Sequence, residues 1–333
     1  TEPRVVPASR FSGGPIGWPK AANAMRKGRA QARALYREFR PSAVIAFGGY
    51  ASLPALMAAF SAKVPAVIHE QNAVLGRVNR LVAGKVAAIA TSYADVERLK
   101  ESYETKTHLV GNPVRQAVLD LRLRPYPPLD EDSIFRVLVT GGSQGASVLS
   151  QVVPDGLALL PVHFRRRLQV THQARLEDID EVRRKYADHG IPAEVAAYLP
   201  ALPRRLAWAH LVIARAGAST IAELTAAGRP AILVPLPSAT DDHQTANARE
   251  ISEAGGARTI QQRAFTAQEL AKQMQKLGLE PDALANAAAC ARSVGRPDAA
   301  RDLADLVESI DADWASAGQG HAKPQKIEGA AYA

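Results

Sequence analysis

Short apolar runs alternate with amphipathic segments along most of the chain. Each run has the length of a buried strand, most runs end in glycine or polar residues, and a segment with helical periodicity follows. Repeated strand–loop–helix units predict parallel sheets covered by helices. The predicted strands cover residues 42–47, 66–68, 86–90, 107–110, 137–140, 168–171, 194–198, 211–214 and 231–234.

A proline-rich, acidic stretch at residues 124–133 separates these units into two groups. It has no hydrophobic periodicity, which is typical of a linker. Helical periodicity runs from residue 266 to 310, and the small and polar residues after it favour a disordered tail. The sequence therefore predicts an α/β fold with an N-terminal lobe at 1–123, a C-terminal lobe at 134–310 and a tail at 311–333.

The first candidate site is the strand, glycine turn and helix at residues 137–147. Backbone N–H groups of such a turn and the positive end of the helix point to one place, which suits a phosphate group. Residues 141–145, GGSQG, also fit the nucleophile elbow of α/β-hydrolases. The turn alone leaves both classes of protein open.

A second glycine turn follows the strand at residues 211–214. Ser219 and Thr220 stand where the next helix begins, and Glu223 lies one turn into it. One interpretation is a capped helix with a well-placed carboxylate. In the other, hydroxyl and N–H groups hold phosphate oxygens while Glu223 accepts hydrogen bonds from a sugar diol. Two such turns in one half of the chain favour the second interpretation.

Other chemistries fit the sequence less well. A serine hydrolase needs an acid and then a histidine in order after Ser143, and no histidine stands at a suitable strand end. A dehydrogenase needs G-x-G-x-x-G spacing and an acid after its second strand, and both are missing. No His or Cys cluster has metal-ligand spacing. A nucleotide-sugar site between two α/β lobes remains.

Composition and charge indicate an anionic partner. The 333 residues are enough for two domains, and the net charge of +8 implies affinity for something anionic. A basic helix predicted at residues 19–39 is either a solvated face or a membrane-surface element. Nucleic acid is disfavoured, because aromatic platforms and nucleic-acid motifs are lacking. With Cys290 alone and no apolar run near the ~18 residues of a spanning helix, a reducing cytoplasm is favoured.

Five motifs together carry a resemblance to a known family. In chain order they are FGGY at 47–50, HEQN at 69–72, GNPVR at 111–115, GGSQG at 141–145 and GASTIAE at 217–223. With these motifs in this order, the sequence resembles the MurG family of bacterial glycosyltransferases, family 28, from about residue 7 to 310. Each motif alone is weak, and the ordered set is specific.

The resemblance implies a GT-B fold, with two Rossmann-like, doubly wound lobes facing a cleft. It implies an inverting transfer of GlcNAc from UDP-GlcNAc to the C4 hydroxyl of MurNAc in lipid I, which gives lipid II for peptidoglycan synthesis. The enzyme is then peripheral on the cytoplasmic face of the bacterial inner membrane, with an anionic membrane surface as a partner. No cofactor or metal is expected, because the two glycine turns neutralise the leaving diphosphate.

The family's functional residues carry over onto matching positions. Ser143 is expected to contact phosphate, the backbone of Leu199 to meet the uracil, and Glu223 to bind the ribose hydroxyls. Gln244 and Asn247 are expected to bind the GlcNAc hydroxyls. The other expected substrate-binding residues are Ala218, Ser219 and Thr220 with Asn72 and Arg115 of the N-terminal lobe, and the expected acceptor-side residues are Tyr50, His69 and Glu70.

The chain departs from the family at its start. The family opens with a first strand and a glycine-rich loop, GGTGGH, which is absent here. The histidine of that loop, the usual candidate for the base that deprotonates the acceptor, is expected upstream of Thr1. We therefore expect an incomplete N-terminal lobe and a chain that is unstable or inactive as given.

Two interpretations follow from this departure. His69 is a substitute candidate for the base, although its neighbour Glu70 favours a structural or acceptor-positioning role. The catalytic residue is otherwise unassigned. The alternative function is a non-catalytic nucleotide-sugar or polyanion-binding protein.

Overall fold

The chain divides into two compact units. One consists of the residues through Gly111 together with those from Asp298 onward, and the other runs from Asn112 to Pro297. Each unit contains a parallel sheet with helices, which confirms the predicted α/β class. The structure, a computed structural model, describes residues 3–9, 14–130, 132–142, 145–278 and 281–316.

In the first unit, the described residues form a parallel sheet with the strand order β1-β2-β3-β4. Val67, Ile68 and Ile89 are fully buried, as is typical of parallel strands that have both faces covered. The strands are β1 Val44–Ala46, β2 Ala66–Glu70, β3 Ala88–Thr91 and β4 Thr107–Leu109.

The predicted basic helix is present and packs closely on the helix that contains Pro54. At Gly28 in the basic helix, an added Cβ would lie 2.0 Å from the carbonyl oxygen of Pro7 and 3.1 Å from Cβ of Pro54, so a side chain has no room. The helices of this part of the chain are α1 Gly14–Phe39, α2 Gly49–Ala62 and α3 Arg77–Val82, with 3₁₀ turns at Ala83–Lys85 and Glu101–Lys106.

The second unit contains a six-stranded parallel sheet with the order β10-β9-β8-β5-β6-β7. The winding reverses between β5 and β8, which makes the sheet doubly wound and marks a ligand position at the carboxyl ends of these strands. Of these strands, the sequence missed only β10, which is three residues long and has two exposed residues. The strands are β5 Phe135–Thr140, β6 Leu168–Gln173, β7 Ala193–Ala196, β8 Leu211–Ala214, β9 Ala231–Leu233 and β10 Ala257–Thr259.

Helices alternate with these strands as the sequence predicts. They are α4 Gln116–Leu119, α5 Ser147–Ala158, α6 Val162–Arg165, α7 Ile179–Asp188, α8 Leu202–Trp208, α9 Ala218–Ala227, α10 His243–Glu253, α11 Ala267–Gly278 and α12 Pro281–Ser293. Helix α4 lies before the first strand of this sheet, and α11 and α12 lie after the last. The 3₁₀ turns cover Asp120–Leu123, Leu176–Asp178, Thr240–Asp242 and Gln262–Ala264.

The boundary between the units lies earlier than the predicted linker at 124–133. Val118 and Leu121 are buried in the core of the second unit, beside Leu224. Tyr126 packs against the same unit and donates a hydrogen bond of 2.7 Å to the carbonyl oxygen of His210. Apolar anchoring therefore assigns 112–133 to the second unit, although the segment has the composition of a linker.

The last helix also belongs to a different unit from the one predicted. This helix, α13 Ala299–Ser316, is part of the first unit, although the sequence assigned residues through 310 to the C-terminal lobe. Leu303 and Leu306 on α13 pack with Val67 and Val110, so burial of its apolar face decides its place. The predicted tail from 311 begins inside this helix, and residues 317–333 lie outside those that the structure describes.

Candidate functional site

The glycine turn after β5 has a backbone conformation that favours glycine at its corners. Gly142 and Gly145 have φ values of 76° and 66°, in the left-handed region that favours glycine. An added Cβ at Gly141 would lie 2.4 Å from the backbone nitrogen of Ala146. The turn leads directly to the N-terminus of α5, where no side chain caps the helix. Ser143, the predicted phosphate contact, lies outside the described residues.

A second turn lies beside the first, because β5 and β8 are neighbours in the sheet. Gly217 precedes α9, so no capping side chain competes for the N–H groups of the first turn of this helix. Ala218, Ser219 and Thr220 form that turn, and Ser219 is exposed. The described part of the chain offers the hydroxyls of Ser219 and Thr220 no hydrogen-bond partner. This edge presents two groups of backbone donors suited to an anion.

Two arginines that sequence reasoning missed lie beside these turns. The backbone and Cγ of Arg175 lie against Gly145, within 2.8 to 3.6 Å of where its Cβ would be. Arg215, directly after β8, donates to the carbonyl oxygens of Val234 and Pro235 at 3.1 and 3.2 Å. Burial, and secondarily the charge of Arg175, lowers the pKa of Arg215. Nothing in the local sequence distinguished these arginines from other basic residues.

Arg115 and Glu223 meet in the second unit. Nη2 of Arg115 lies 2.6 Å from Oε1 of Glu223, and the side chains are 58% and 17% exposed. Arg115 stands directly before α4, so its place in the second unit corrects its predicted place in the N-terminal lobe. Two residues that the sequence assigned separately to the donor site therefore form one ion pair.

The two predicted GlcNAc contacts on α10 differ in accessibility. Gln244 is partly exposed, and its Oε1 accepts a hydrogen bond of 3.0 Å from the backbone N–H of Leu236. Asn247 is fully buried and donates a hydrogen bond of 3.3 Å to the carbonyl oxygen of Ala216. In this conformation Asn247 holds the loop before α9, whereas no described residue accepts a hydrogen bond from the amide N–H₂ group of Gln244.

Leu199 anchors the loop between β7 and α8. Its side chain is 6% exposed and packs in the core with Leu206, while the neighbouring Tyr198 is 76% exposed. Ala201 ends the loop in the left-handed region, with φ at 52°. A loop fixed by its own buried leucine presents its backbone in one conformation, which fits the predicted backbone contact to a base.

His69, the substitute candidate for the base, is fully engaged in the first unit. It is completely buried, Nε2 lies 2.8 Å from the carbonyl oxygen of Gly111, and Nδ1 lies 2.9 Å from Nε2 of Gln71. Burial lowers the pKa of His69 and outweighs the opposite effects of the Gly111 bond and the charge of Glu70. Burial and the engagement of both ring nitrogens disfavour His69 as the base and support a structural role.

The family's usual candidate for the base has no counterpart in the printed sequence, because the motif GGTGGH does not occur among the 333 residues. His69 is the one substitute candidate among the described residues, and its contacts favour a structural role. The catalytic base therefore stays unassigned in this chain.

Glu70 is also structural, which corrects its predicted place on the acceptor side. It is 2% exposed, and Oε1 accepts bonds of 3.1 and 3.2 Å from the backbone and side-chain nitrogens of Asn72. Oε2 accepts bonds of 2.8 Å from the N–H of Gly76 and from Nδ2 of Asn79. The carboxylate thereby fixes the loop between β2 and α3. Tyr50, at the start of α2, remains accessible at 40% exposure.

Comparison with known proteins identifies the family. The glycosyltransferase family 28 C-terminal domain matches residues 136–303, and the family 28 N-terminal domain matches residues 6–91. The chain belongs to glycosyltransferase family 28. The family 28 match at 136–303 includes both glycine turns, α9 and α10, and the match at 6–91 includes the loop that Glu70 fixes.

Similar proteins cover most of the chain. A protein of Zymomonas mobilis subsp. mobilis is 62% identical over 305 residues, which are 92% of this chain and 79% of that protein. A protein of Erythrobacter litoralis is 62% identical over 306 residues, or 92% and 77% of the two chains. Both are named UDP-N-acetylglucosamine–N-acetylmuramyl-(pentapeptide) pyrophosphoryl-undecaprenol N-acetylglucosamine transferase.

Solved structures agree with the family 28 fold. The crystal structure of Acinetobacter baumannii MurG matches with a TM-score of 0.71 and 29% identity, covering 90% of this chain and 82% of that one. UDP-GlcNAc 2-epimerase from Neisseria meningitidis, bound to UDP-GlcNAc, matches with a TM-score of 0.57 and 14% identity, covering 86% and 82%. The second likeness is one of fold.

Two features are absent from the described residues. No helix there combines the length and the apolarity that a membrane crossing needs. That part of the chain also holds no group of three or more His, Cys, Asp or Glu side chains arranged to bind a metal ion.

Proposed function

We propose that this chain transfers GlcNAc from UDP-GlcNAc to the C4 hydroxyl of MurNAc in lipid I, which produces lipid II. The observation that carries the proposal is the 62% identity, over 92% of the chain, to transferases named for this donor and acceptor. A non-catalytic nucleotide-sugar or polyanion binder is the less favoured alternative, because the similarity extends through both family 28 domains.

The donor is proposed to lie at the carboxyl edge of the second sheet. Its diphosphate oxygens accept hydrogen bonds from the backbone N–H groups of the two glycine turns. The hydroxyls of Ser143, Ser219 and Thr220 donate further hydrogen bonds. Removing one donor of this kind from a transition state typically slows the reaction by ~10²–10³. The backbone at Leu199 then contacts the uracil and Glu223 the ribose.

Transfer then proceeds by displacement with inversion. The C4 oxygen of the acceptor forms a bond to C1 of GlcNAc and gives up its proton to a general base. The bond from C1 to the diphosphate oxygen breaks, and the turns stabilise the charge that grows on UDP. Gln244, through its amide, is proposed to bind a GlcNAc hydroxyl. Asn72 and Tyr50 of the first unit complete the proposed substrate-binding set.

A membrane surface is the proposed place of reaction. Helix α1 exposes a set of cations with Trp18, which is 59% exposed, near one end and Phe39, 49% exposed, at the other. Such a helix suits an interface with anionic lipid. We propose a peripheral location on the cytoplasmic face of the inner membrane, and through lipid II a role in cell wall biogenesis, cell shape and division. The exposed cations are Lys20, Arg26, Lys27, Arg33 and Arg37.

Vesicle binding tests the membrane proposal. The chain should sediment with phosphatidylglycerol vesicles and not with phosphatidylcholine vesicles, and added salt should release it. Arg33→Glu with Arg37→Glu should abolish sedimentation. The matched control, Arg166→Glu with Arg184→Glu on exposed positions of the second unit, should retain it. Equal binding of both double variants contradicts a role for α1.

A transfer assay tests the chemistry. The chain is incubated with radiolabelled UDP-GlcNAc and a lipid I analogue, and labelled lipid II is expected, with little product from UDP-GalNAc. Binding of UDP-GlcNAc without transfer supports the non-catalytic alternative.

A further inference from the structure

The ion pair of Arg115 and Glu223 occupies a carboxylate that the proposed function assigns to the ribose. Glu223 lies one turn into α9, one helical turn after the exposed Ser219, and Arg115 covers its Oε1 at 2.6 Å. A carboxylate oxygen that already accepts a short charge-assisted hydrogen bond has less capacity for a second donor. The contact therefore leaves Oε1 of Glu223 less available to a ligand hydroxyl.

The packing of the residues after Arg115 positions its side chain for this contact. Arg115 directly precedes α4, and Val118 and Leu121, which follow it, are 0% and 4% exposed in the core against Leu224 of α9. This packing holds the start of α4 beside α9, so the guanidinium of Arg115 lies within reach of Glu223. The Arg115 side chain itself is 58% exposed, which leaves it free to turn away.

We infer that Arg115 competes with the ribose diol for Glu223, so that the donor must displace the guanidinium in order to bind. The inference rests on the proposed function, because it takes Glu223 as the ribose site. Arg115 thereby lowers the affinity for a ligand that carries the diol, because the diol must replace the N–H donors of Arg115 at Glu223, and it leaves the affinity for a sugar without the diol unchanged. The displaced guanidinium remains at the edge where the diphosphate is proposed to bind.

The binding of nucleosides distinguishes competition by Arg115 from direct binding of the ligand by Arg115. Uridine carries the diol and no phosphate, so loss of Arg115 removes a competitor and costs uridine no contact to phosphate. Exposed ion pairs are weak, and we expect Arg115→Ala to tighten uridine binding by about two- to fivefold. For 2′,3′-dideoxyuridine, which cannot use Glu223, the affinity should not change.

The test measures displacement of UDP-GlcNAc by uridine and by 2′,3′-dideoxyuridine, in calorimetric titrations. Arg115→Lys, which keeps the positive charge, should bind uridine close to the wild-type affinity. Arg184→Ala, at an exposed arginine on α7, is the matched control and should match the wild type for both nucleosides. Glu223→Gln should weaken uridine binding, and raising the salt to about 0.5 M should remove the gain seen in Arg115→Ala.

The outcomes distinguish this inference from the proposed function. If the wild type binds UDP-GlcNAc and Arg115→Ala leaves uridine affinity unchanged or weaker, the competition is wrong while the function stands. An equal gain for uridine and dideoxyuridine also overturns it, because Glu223 would not be the point of competition. If the wild type does not bind UDP-GlcNAc at all, the proposed function itself fails.

Discussion

Replacing Glu70 by glutamine tests the claim that this residue is structural. Glu70→Gln keeps the shape of the side chain, and it exchanges one oxygen for an N–H₂ group. The four groups around the carboxylate are all N–H donors, from Asn72, Gly76 and Asn79. Either orientation of the amide therefore loses two hydrogen bonds and places a donor against donors.

The expected loss follows from these contacts. Hydrogen bonds to a charged group contribute about 1.5–3 kcal/mol each, and an unsatisfied buried donor adds a cost of its own. Allowing for relaxation of the loop, we expect Glu70→Gln to lower the free energy of opening this region by about 3 kcal/mol. A loss of that size corresponds to a roughly hundredfold rise in amide exchange.

Hydrogen exchange measured by mass spectrometry checks this value locally. Peptides covering residues 71–80 should exchange faster in Glu70→Gln, and peptides of the second unit should not change. Glu104→Gln, at an exposed glutamate of the same unit, is the control and should exchange as the wild type does. Wild-type exchange in Glu70→Gln, together with slower transfer, would refute the structural role and support contact with the acceptor.

Three further predictions concern the second unit. Arg229→Met should lower the free energy of urea unfolding by about 3 kcal/mol, because the guanidinium, 1% exposed, donates to carbonyl oxygens at the ends of α8 and α9. Burial lowers the pKa of His172 to about 3 and that of His210 to about 4, so the unfolded chain binds more protons below pH 6.5. Stability should therefore fall by ~1.4 kcal/mol per pH unit per histidine between pH 6.5 and 4, and His172→Phe should show a shallower loss in urea unfolding across that range. Gly141→Ala should weaken UDP-GlcNAc binding more than tenfold in calorimetry, because its Cβ would meet the nitrogen of Ala146 at 2.4 Å.

Local patterns predicted the strands and the glycine turns well, because burial of a short apolar run and the need for positive φ are properties of neighbouring residues. The turn at Gly142 and Gly145 and the helix that follows are examples. The strand at Ala257–Thr259 was missed because two of its three residues are exposed. This strand is defined by its hydrogen-bonded pairing with β9 and not by a run of apolar residues.

The features that could not be predicted from the sequence depend on contacts between residues far apart in the chain. The boundaries of the units depend on where Leu121 and Leu303 find an apolar surface, and neither surface is adjacent in sequence. The pairing of Arg115 with Glu223 joins residues 108 positions apart. Glu70 likewise looked like a site residue until its four donors were known, because a buried structural carboxylate and a catalytic one have the same local sequence.

Direct transfer is the measurement that tests the central claim. The chain, supplied with UDP-GlcNAc and a lipid I analogue, should form lipid II, and Glu223→Ala should reduce the kcat/KM for UDP-GlcNAc by more than tenfold while the chain stays folded. Tight binding of UDP-GlcNAc with no lipid II formed by the wild type would contradict the assignment as a transferase.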